Sequence, residues 1–210
     1  MRNSARRRVR KFTDDRLLVA THNAGKLGEI TALLAPYGVE VVGAAALGLA
    51  EPDETESTFL GNARIKAHAA ARATGLPALS DDSGIVIDAL DGAPGVYTAD
   101  WAETETGRDF GMAMHRAHDA LVASKQPQPW TARFCCTLVL AWPDGHDEVF
   151  EGTAEGWVVW PMRGAQGHGY DPMFQPLGHD VTFAEMVPTE KNRISHRADA
   201  FRKLVAGCFA

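Results

Sequence analysis

Ser80-Asp81-Asp82-Ser83-Gly84 is entered from Leu76-Pro77-Ala78-Leu79 and left through Ile85-Val86-Ile87. Two adjacent carboxylates between apolar runs are costly to hold near a core unless something neutralises them. A divalent cation is a natural partner, and a cation held by one or two carboxylates commonly also holds a phosphate. Taken alone, the pentapeptide reads as a turn, because Asp, Ser and Gly all favour turns. The local expectation is strand, acidic turn, strand. The flanking segments decide whether the turn carries chemistry.

Upstream, Leu17-Leu18-Val19-Ala20 reads as a buried strand. It runs into Thr21-His22-Asn23-Ala24-Gly25-Lys26 and then a helix with Leu27, Ile30, Leu33 and Leu34 on one face, stopped by Pro36 and Gly38. Strand, small polar loop and helix set backbone N–H groups and a helix N-terminus against a phosphate. Lys26 in the first turn opposes the helix dipole, a cost that makes sense if an anion is there to be met. The P-loop pattern G-x-x-x-x-G-K-[ST] fits poorly. Ala20 stands at its first glycine and Leu27 where a hydroxyl should reach magnesium, so a P-loop NTPase is disfavoured.

Val39 to Val42 gives a second short strand, followed by Glu51, Asp53, Glu54 and Glu56. Such acid-rich loops are commonly solvated, and the alternative is that one or two of these acids face a metal. An alanine-rich helix is expected from Thr58 to Thr74, ended by Gly75. Asn62 and Lys66, four apart, share one of its faces. Downstream come an amphipathic helix with Phe110, Met114, Ala117 and Leu121, and an alternating strand over 132–142. A turn at Pro143-Asp144-Gly145 leads to a returning strand at Glu148–Phe150, and a further strand is expected over Gly156–Trp160. Gly164 to Pro172 holds three glycines, with His168 and Tyr170 offering stacking faces to a flat ligand. Lys191, His196 and Arg197 lie near a last helix start, able to reach a base or a phosphate.

The chain has 210 residues, 45% of them hydrophobic, and a net charge of −6. Six of its 21 Lys and Arg residues fall in positions 1–11 with no acid, so the other 15 face all 27 acidic residues. A body that acidic is not a general nucleic-acid binder. We expect residues 1–14 to be a disordered basic extension and 15–210 a single two-lobed domain. No apolar run reaches the roughly 18 residues of a membrane span, and no apolar segment follows the basic head as in a secretory signal. Cys135, Cys136 and Cys208, odd in number and without metal-ligand spacing, read as reduced thiols of a cytoplasmic protein.

In order along the chain, four stretches resemble the inosine triphosphate pyrophosphatase family. They are Thr21 to Lys26; the acidic loop through Glu54 with Phe59, Asn62 and Lys66; Ser80 to Gly84 running on to Gly92-Ala93-Pro94-Gly95; and His168 to Pro172 with Glu190-Lys191 and Ser195-His196-Arg197. The resemblance covers roughly Leu17 to the C-terminus. It implies an α/β fold with an elongated, mixed central sheet flanked by helices, two lobes and an active-site cleft between them. It further implies a Mg²⁺-dependent homodimer that hydrolyses ITP, dITP and XTP to the monophosphate and pyrophosphate.

By matching position, Thr21, His22, Asn23, Ala24, Gly25 and Lys26 hold the triphosphate. Asp82 binds metal and acts as general base, with Asp81 beside it and Ser83 touching substrate. Glu54, or Asp53 next to it, is the second metal carboxylate, and Lys26 and Lys66 supply fixed positive charge. His168, Gly169, Tyr170, Asp171, Lys191, His196 and Arg197 surround the purine and read its 6-oxo edge. The sequence departs from the family at His22, commonly glycine, and at His168, commonly a stacking phenylalanine. Two alternatives stand beside this reading: a Maf-like pyrophosphatase acting on modified nucleotides, and a sensor that binds a triphosphate without cleaving it.

Overall fold

In a computed structural model, residues 8–210 are described. A six-stranded mixed sheet runs in the order β2-β1-β3-β6-β7-β8. The strands are β1 (Arg16–Val19), β2 (Glu40–Gly43), β3 (Ala78–Ile87), β6 (Trp130–Ala141), β7 (Asp147–Val158) and β8 (Phe174–Pro176). β1 pairs in parallel with β2 and β3, as expected where helices make the crossovers; the remaining pairs are antiparallel. A small hairpin, β4 (Glu103–Thr104) with β5 (Gly107–Arg108), stands apart from this sheet.

The helices follow the sequence periodicity. α1 (Ala24–Leu34) buries Ile30 and Leu34, but Leu33 faces outward at 48% exposure. α2 (Phe59–Thr74) starts where Thr58 caps the Gly61 N–H and stops at Gly75, whose positive φ no side chain opposes. α3 (Phe110–Ser124) buries Met114, Ala117 and Leu121. α4 (Pro188–Ile194) and α5 (His196–Leu204) are separated by Ser195, which caps α5.

Two corrections concern the strands. The expected acidic turn at 80–84 is not a turn: β3 is continuous and pairs residue by residue with β6, Asp81 opposite Leu138 and Asp82 opposite Thr137. The ladder satisfies the backbone, so turn-forming side chains are carried through a strand. Likewise, Glu148–Phe150 and the first three residues of the strand expected at Gly156–Trp160 belong to one element, β7, which ends at Val158.

The long strands join separate apolar cores. One core gathers Leu79, Cys136, Leu138 and Leu140 with Ile30 and Leu34 of α1 and Phe201 and Leu204 of α5. A second, under α2, holds Leu18, Ala63, Ala67, Ala78 and Val139. A third lies at the far end, with Ile85, Ile87, Phe134, Val158, Phe174 and α3. Residues 80–84 fall between these cores, so the polar stretch crosses the seam of the molecule.

Of the basic head, residues 1–7 lie outside the described residues. Residues 9–12 are docked rather than free. Val9 packs on the α1/α5 core, Arg10 pairs with Asp144 at 2.6 Å and lies over the Trp142 ring, and Phe12 stacks on Phe209. Cys135, Cys136 and Cys208 are free thiols. Among the described residues, no helix is long and apolar enough to cross a membrane.

Candidate active site

Strand alternation sends successive side chains of β3 to opposite faces. Ser80 donates to the Ala63 carbonyl of α2 at 2.6 Å, and Asp82 follows on that face. Asp82 lines a cavity of about 70 Å³ together with Glu54, Glu56, Asn62, Asp100 and Arg108. Its Oδ1 accepts the Ser83 N–H at 2.9 Å, while Oδ2 is buried without a hydrogen-bond partner. Burial, the largest effect, raises the Asp82 carboxyl to about 6; neighbouring Lys66 works downward and Glu54 upward. Lys66 is buried, and its ammonium donates to Glu54 Oε1. Burial works to lower the Lys66 pKa, but the Glu54 hydrogen bond and the charges of Asp81 and Asp82 hold it above the usual lysine range.

The other face belongs to Asp81. Lys26 Nζ donates to both its oxygens, at 3.1 and 2.8 Å, and Arg197 Nη2 stands 3.7 Å away. Ser83 Oγ donates to the same carboxylate at 3.3 Å. Burial alone pushes Asp81 upward; Lys26 and then Arg197 overcome it and hold the carboxyl far below its usual range. The anion expected at the α1 N-terminus is thus met in part by the protein itself. Arg197 lines a cavity of about 400 Å³ between α1 and α5, and Lys66 lines another of about 260 Å³ that His22 also borders.

A third group adjoins these two. Asp171, buried, accepts the His168 N–H and pairs with Lys191. Gly167 has φ +79°, and a Cβ there would stand 2.1 Å from Asp171 Oδ2. His196 is buried and stacks on Phe134 at 5.0 Å, its Nδ1 unpartnered. Burial, then Arg197 and Lys191, lower its pKa to about 3, so the ring is neutral.

The sequence-derived residues therefore fall into linked sets, with several placed differently from expectation. Tyr170 is not a free stacking face; its ring is buried in the far core, edge-on to Phe110, and only its hydroxyl lacks a partner. His168 is exposed. Asp53 is exposed and does not line the Asp82 cavity, whereas Glu54 does. Asn23 caps α1 by accepting the Lys26 N–H at 3.1 Å, and its own N–H donates to Thr21 Oγ1. Ala24 and Gly25 form the exposed first turn. His22 Nε2 lies 2.8 Å from the Leu49 carbonyl, which ties the phosphate-loop candidate to the acidic loop. Gly169 follows His168 at φ +66°.

Of the loop acids, Glu56 joins Glu54 at the Asp82 cavity, whereas Asp100 and Arg108 have no sequence signal. Asp100 and Arg108 come from the loop and hairpin after β3, where no periodicity marks them. That loop is seated by Thr98 Oγ1, which accepts the Ile85 N–H at 2.9 Å and donates to the Gly95 carbonyl.

Among the described residues, no cluster of three or more His, Cys, Asp or Glu side chains forms a ready metal cage. An oxygen set built on Asp82 and Glu54, one atom of it buried and unpartnered, still fits a hard divalent cation whose remaining ligands are water and substrate phosphate.

A profile of the Ham1 family matches residues 17–207. The chain belongs to the Ham1 family. Among Ham1 relatives, the dITP/XTP pyrophosphatase of Ruegeria pomeroyi is 74% identical over 96% of this chain and 98% of its own. That of Rhodospirillum centenum is 56% identical over the same shares. The Ham1 protein structure from Coxiella burnetii superposes with a TM-score of 0.86 at 36% identity, covering 91% of this chain and 96% of that one. The Staphylococcus aureus Ham1 protein gives 0.82 at 31% identity over the same shares. The mixed sheet flanked by helices is the architecture of these Ham1 structures.

Proposed function

We propose that this chain is a Mg²⁺-dependent pyrophosphatase that hydrolyses dITP, ITP and XTP to the nucleoside monophosphate and pyrophosphate. The single observation that carries the proposal is Asp82: a buried carboxylate with one unpartnered oxygen, facing Glu54 and Lys66 across the sheet from Lys26 and Arg197. The names of the Ham1 relatives support the choice of substrate. The same resemblance supports a homodimer working in the cytoplasm.

A triphosphate carries several negative charges, so its hydrolysis depends on positioning and charge neutralisation. Lys26 and Lys66 supply fixed positive charge, and Thr21 to Gly25 supply the loop and helix start for the phosphates. Asp82 accepts the proton of the attacking water, which adds to the α-phosphorus as the bond to the bridging oxygen breaks. The pyrophosphate leaves with that oxygen. Mg²⁺, held by Asp82 and Glu54, would neutralise phosphate oxygens and lower the pKa of a bound water. Asp171, Lys191, His196 and Arg197 are assigned to the purine. His196, neutral, offers a donor or an acceptor but not a charge. Rejection of ATP follows if their donors meet a 6-oxo group, since a 6-amino group leaves them unpaired.

The test is pyrophosphate release with Mg²⁺ from ITP, XTP, dITP, ATP, GTP and dTTP. Release from the first three, with ATP at least about a hundredfold slower in kcat/KM, is expected. Preference for dTTP moves the reading toward the Maf-like alternative. Binding without release from any of them moves it to the sensor.

A further inference from the structure

Lys26 and Arg197 come from different helices, α1 and α5, yet both reach one carboxylate. Like charges brought this close repel unless an anion lies between them. Asp81 is that anion. It is fixed in the middle of a ten-residue strand, and its Oδ2 collects Lys26 at 2.8 Å, Arg197 at 3.7 Å and the Ser83 hydroxyl at 3.3 Å. The Asp81 side chain is only 8% exposed, whereas those of Lys26 and Arg197 are 31% and 29% exposed. The cations are therefore open to an incoming ligand on their outer sides while the carboxylate is sealed beneath them.

We infer that Asp81 is a positioning residue that couples the phosphate end of the site, through Lys26, to the base end, through Arg197. The inference rests on the reading of those two cations as substrate contacts. Asp81 itself touches no substrate. Removing Lys26 leaves the whole carboxylate to Arg197, which is then less available to the ligand, and the reverse holds for removal of Arg197. The two cations thus contribute to substrate capture as a unit, and their single losses overlap.

A double-mutant cycle in the full-length enzyme measures this: kcat/KM for ITP in Lys26→Gln, Arg197→Gln and the double variant, in the wild-type and Asp81→Asn backgrounds. The double variant is expected to lose less than the product of the single losses, by at least about fivefold. In the Asp81→Asn background the losses become multiplicative. If Asp81→Asn does not fold, the wild-type cycle alone decides. Multiplicative losses in the wild type overturn the coupling while leaving both cations as substrate contacts. Coupling that survives Asp81→Asn overturns it too, because it then runs through another group. If neither single variant changes kcat/KM, the substrate-contact reading and the coupling fall together.

Discussion

Asp81 and Asp82 are neighbours in the chain and lie on opposite faces of the sheet. Asp81 is held ionised by Lys26 and Arg197, whereas Asp82 is buried with an unpartnered oxygen and its carboxyl raised to about 6. The same pair of residues therefore supplies one carboxylate neutralised by two cations and one left desolvated. Their pH dependences differ in sign. Asp81, with its pKa depressed, adds stability that is complete above the usual carboxylate range and is lost as pH falls. Asp82, with its pKa raised, holds a proton that the unfolded chain gives up. Its contribution is present at low pH and is lost as pH rises through about 6.

Replacing Asp82 by Asn should abolish turnover and stabilise the protein. The ionised carboxylate above pH 6 costs roughly 2–3 kcal/mol by the conversion of 1.36 kcal/mol per pH unit. Without Mg²⁺ at about pH 7.5, Asp82→Asn should therefore melt several degrees higher than the wild type. ITP binding should be largely kept. A lower melting temperature combined with normal kcat contradicts both the desolvated charge and the assigned base.

The acidic limb of kcat/KM should report a single group with apparent pKa near 6, the value of Asp82 in the free enzyme. Because a metal competes with the proton for the same oxygen, raising Mg²⁺ should move the limb to lower pH. His196, held neutral with its pKa near 3, should add no second limb between about pH 5 and 8. A Mg²⁺-independent limb is the contrary result.

Lys66→Met removes a buried cation that works downward on Asp82. The acidic limb should shift to higher pH, and kcat/KM should fall at least about tenfold. A profile unchanged in shape means that Lys66 serves Glu54 alone.

Glu54 and Asp53 are separable by metal titration. Glu54→Gln should raise the Mg²⁺ concentration for half-maximal rate at least about tenfold, because Glu54 lines the Asp82 cavity. Asp53→Asn, at an exposed position outside that cavity, should leave it within about twofold. Equal effects refute the assignment of the second metal carboxylate.

Gly84 marks a close approach between β3 and the loop that roofs the site. A Cβ there would stand 2.4 Å from both the Gly95 carbonyl and Thr98 Oγ1. Gly84→Ala should cost about 1–3 kcal/mol by overpacking and reduce activity by moving the Asp100 and Arg108 side of the cavity. Gly28→Ala in α1, where nothing lies within 4 Å of the added methyl, should be neutral or stabilising by up to about 1 kcal/mol. Thermal melts of the two variants check the contrast.

Helices were legible in the sequence because their caps are chemical. Thr58 and Gly75 bracket α2 at the expected places, and Asn62 and Lys66 do share its buried face. The acidic stretch was misread as a turn because local propensity favours one, while the ladder to β6 that overrides it is a long-range pairing. Sequence places Asp81 only as the carboxylate beside Asp82. Once β3 is continuous, alternation alone puts it on the face away from Asp82. Tyr170 looked like a stacking platform because its glycine-rich surroundings suggest an open loop, yet the ring fills the core beside Phe110. Asp100 and Arg108 were invisible because their approach to Asp82 depends on the seating of Thr98 against β3, which no short-range pattern encodes.

The central claim is that water guided by Asp82 attacks the α-phosphorus of a 6-oxopurine triphosphate. Hydrolysis of ITP with Mg²⁺ in water enriched in oxygen-18 tests it most directly. The account predicts one labelled oxygen in the monophosphate and none in pyrophosphate. Label in pyrophosphate, or in released orthophosphate, would contradict it.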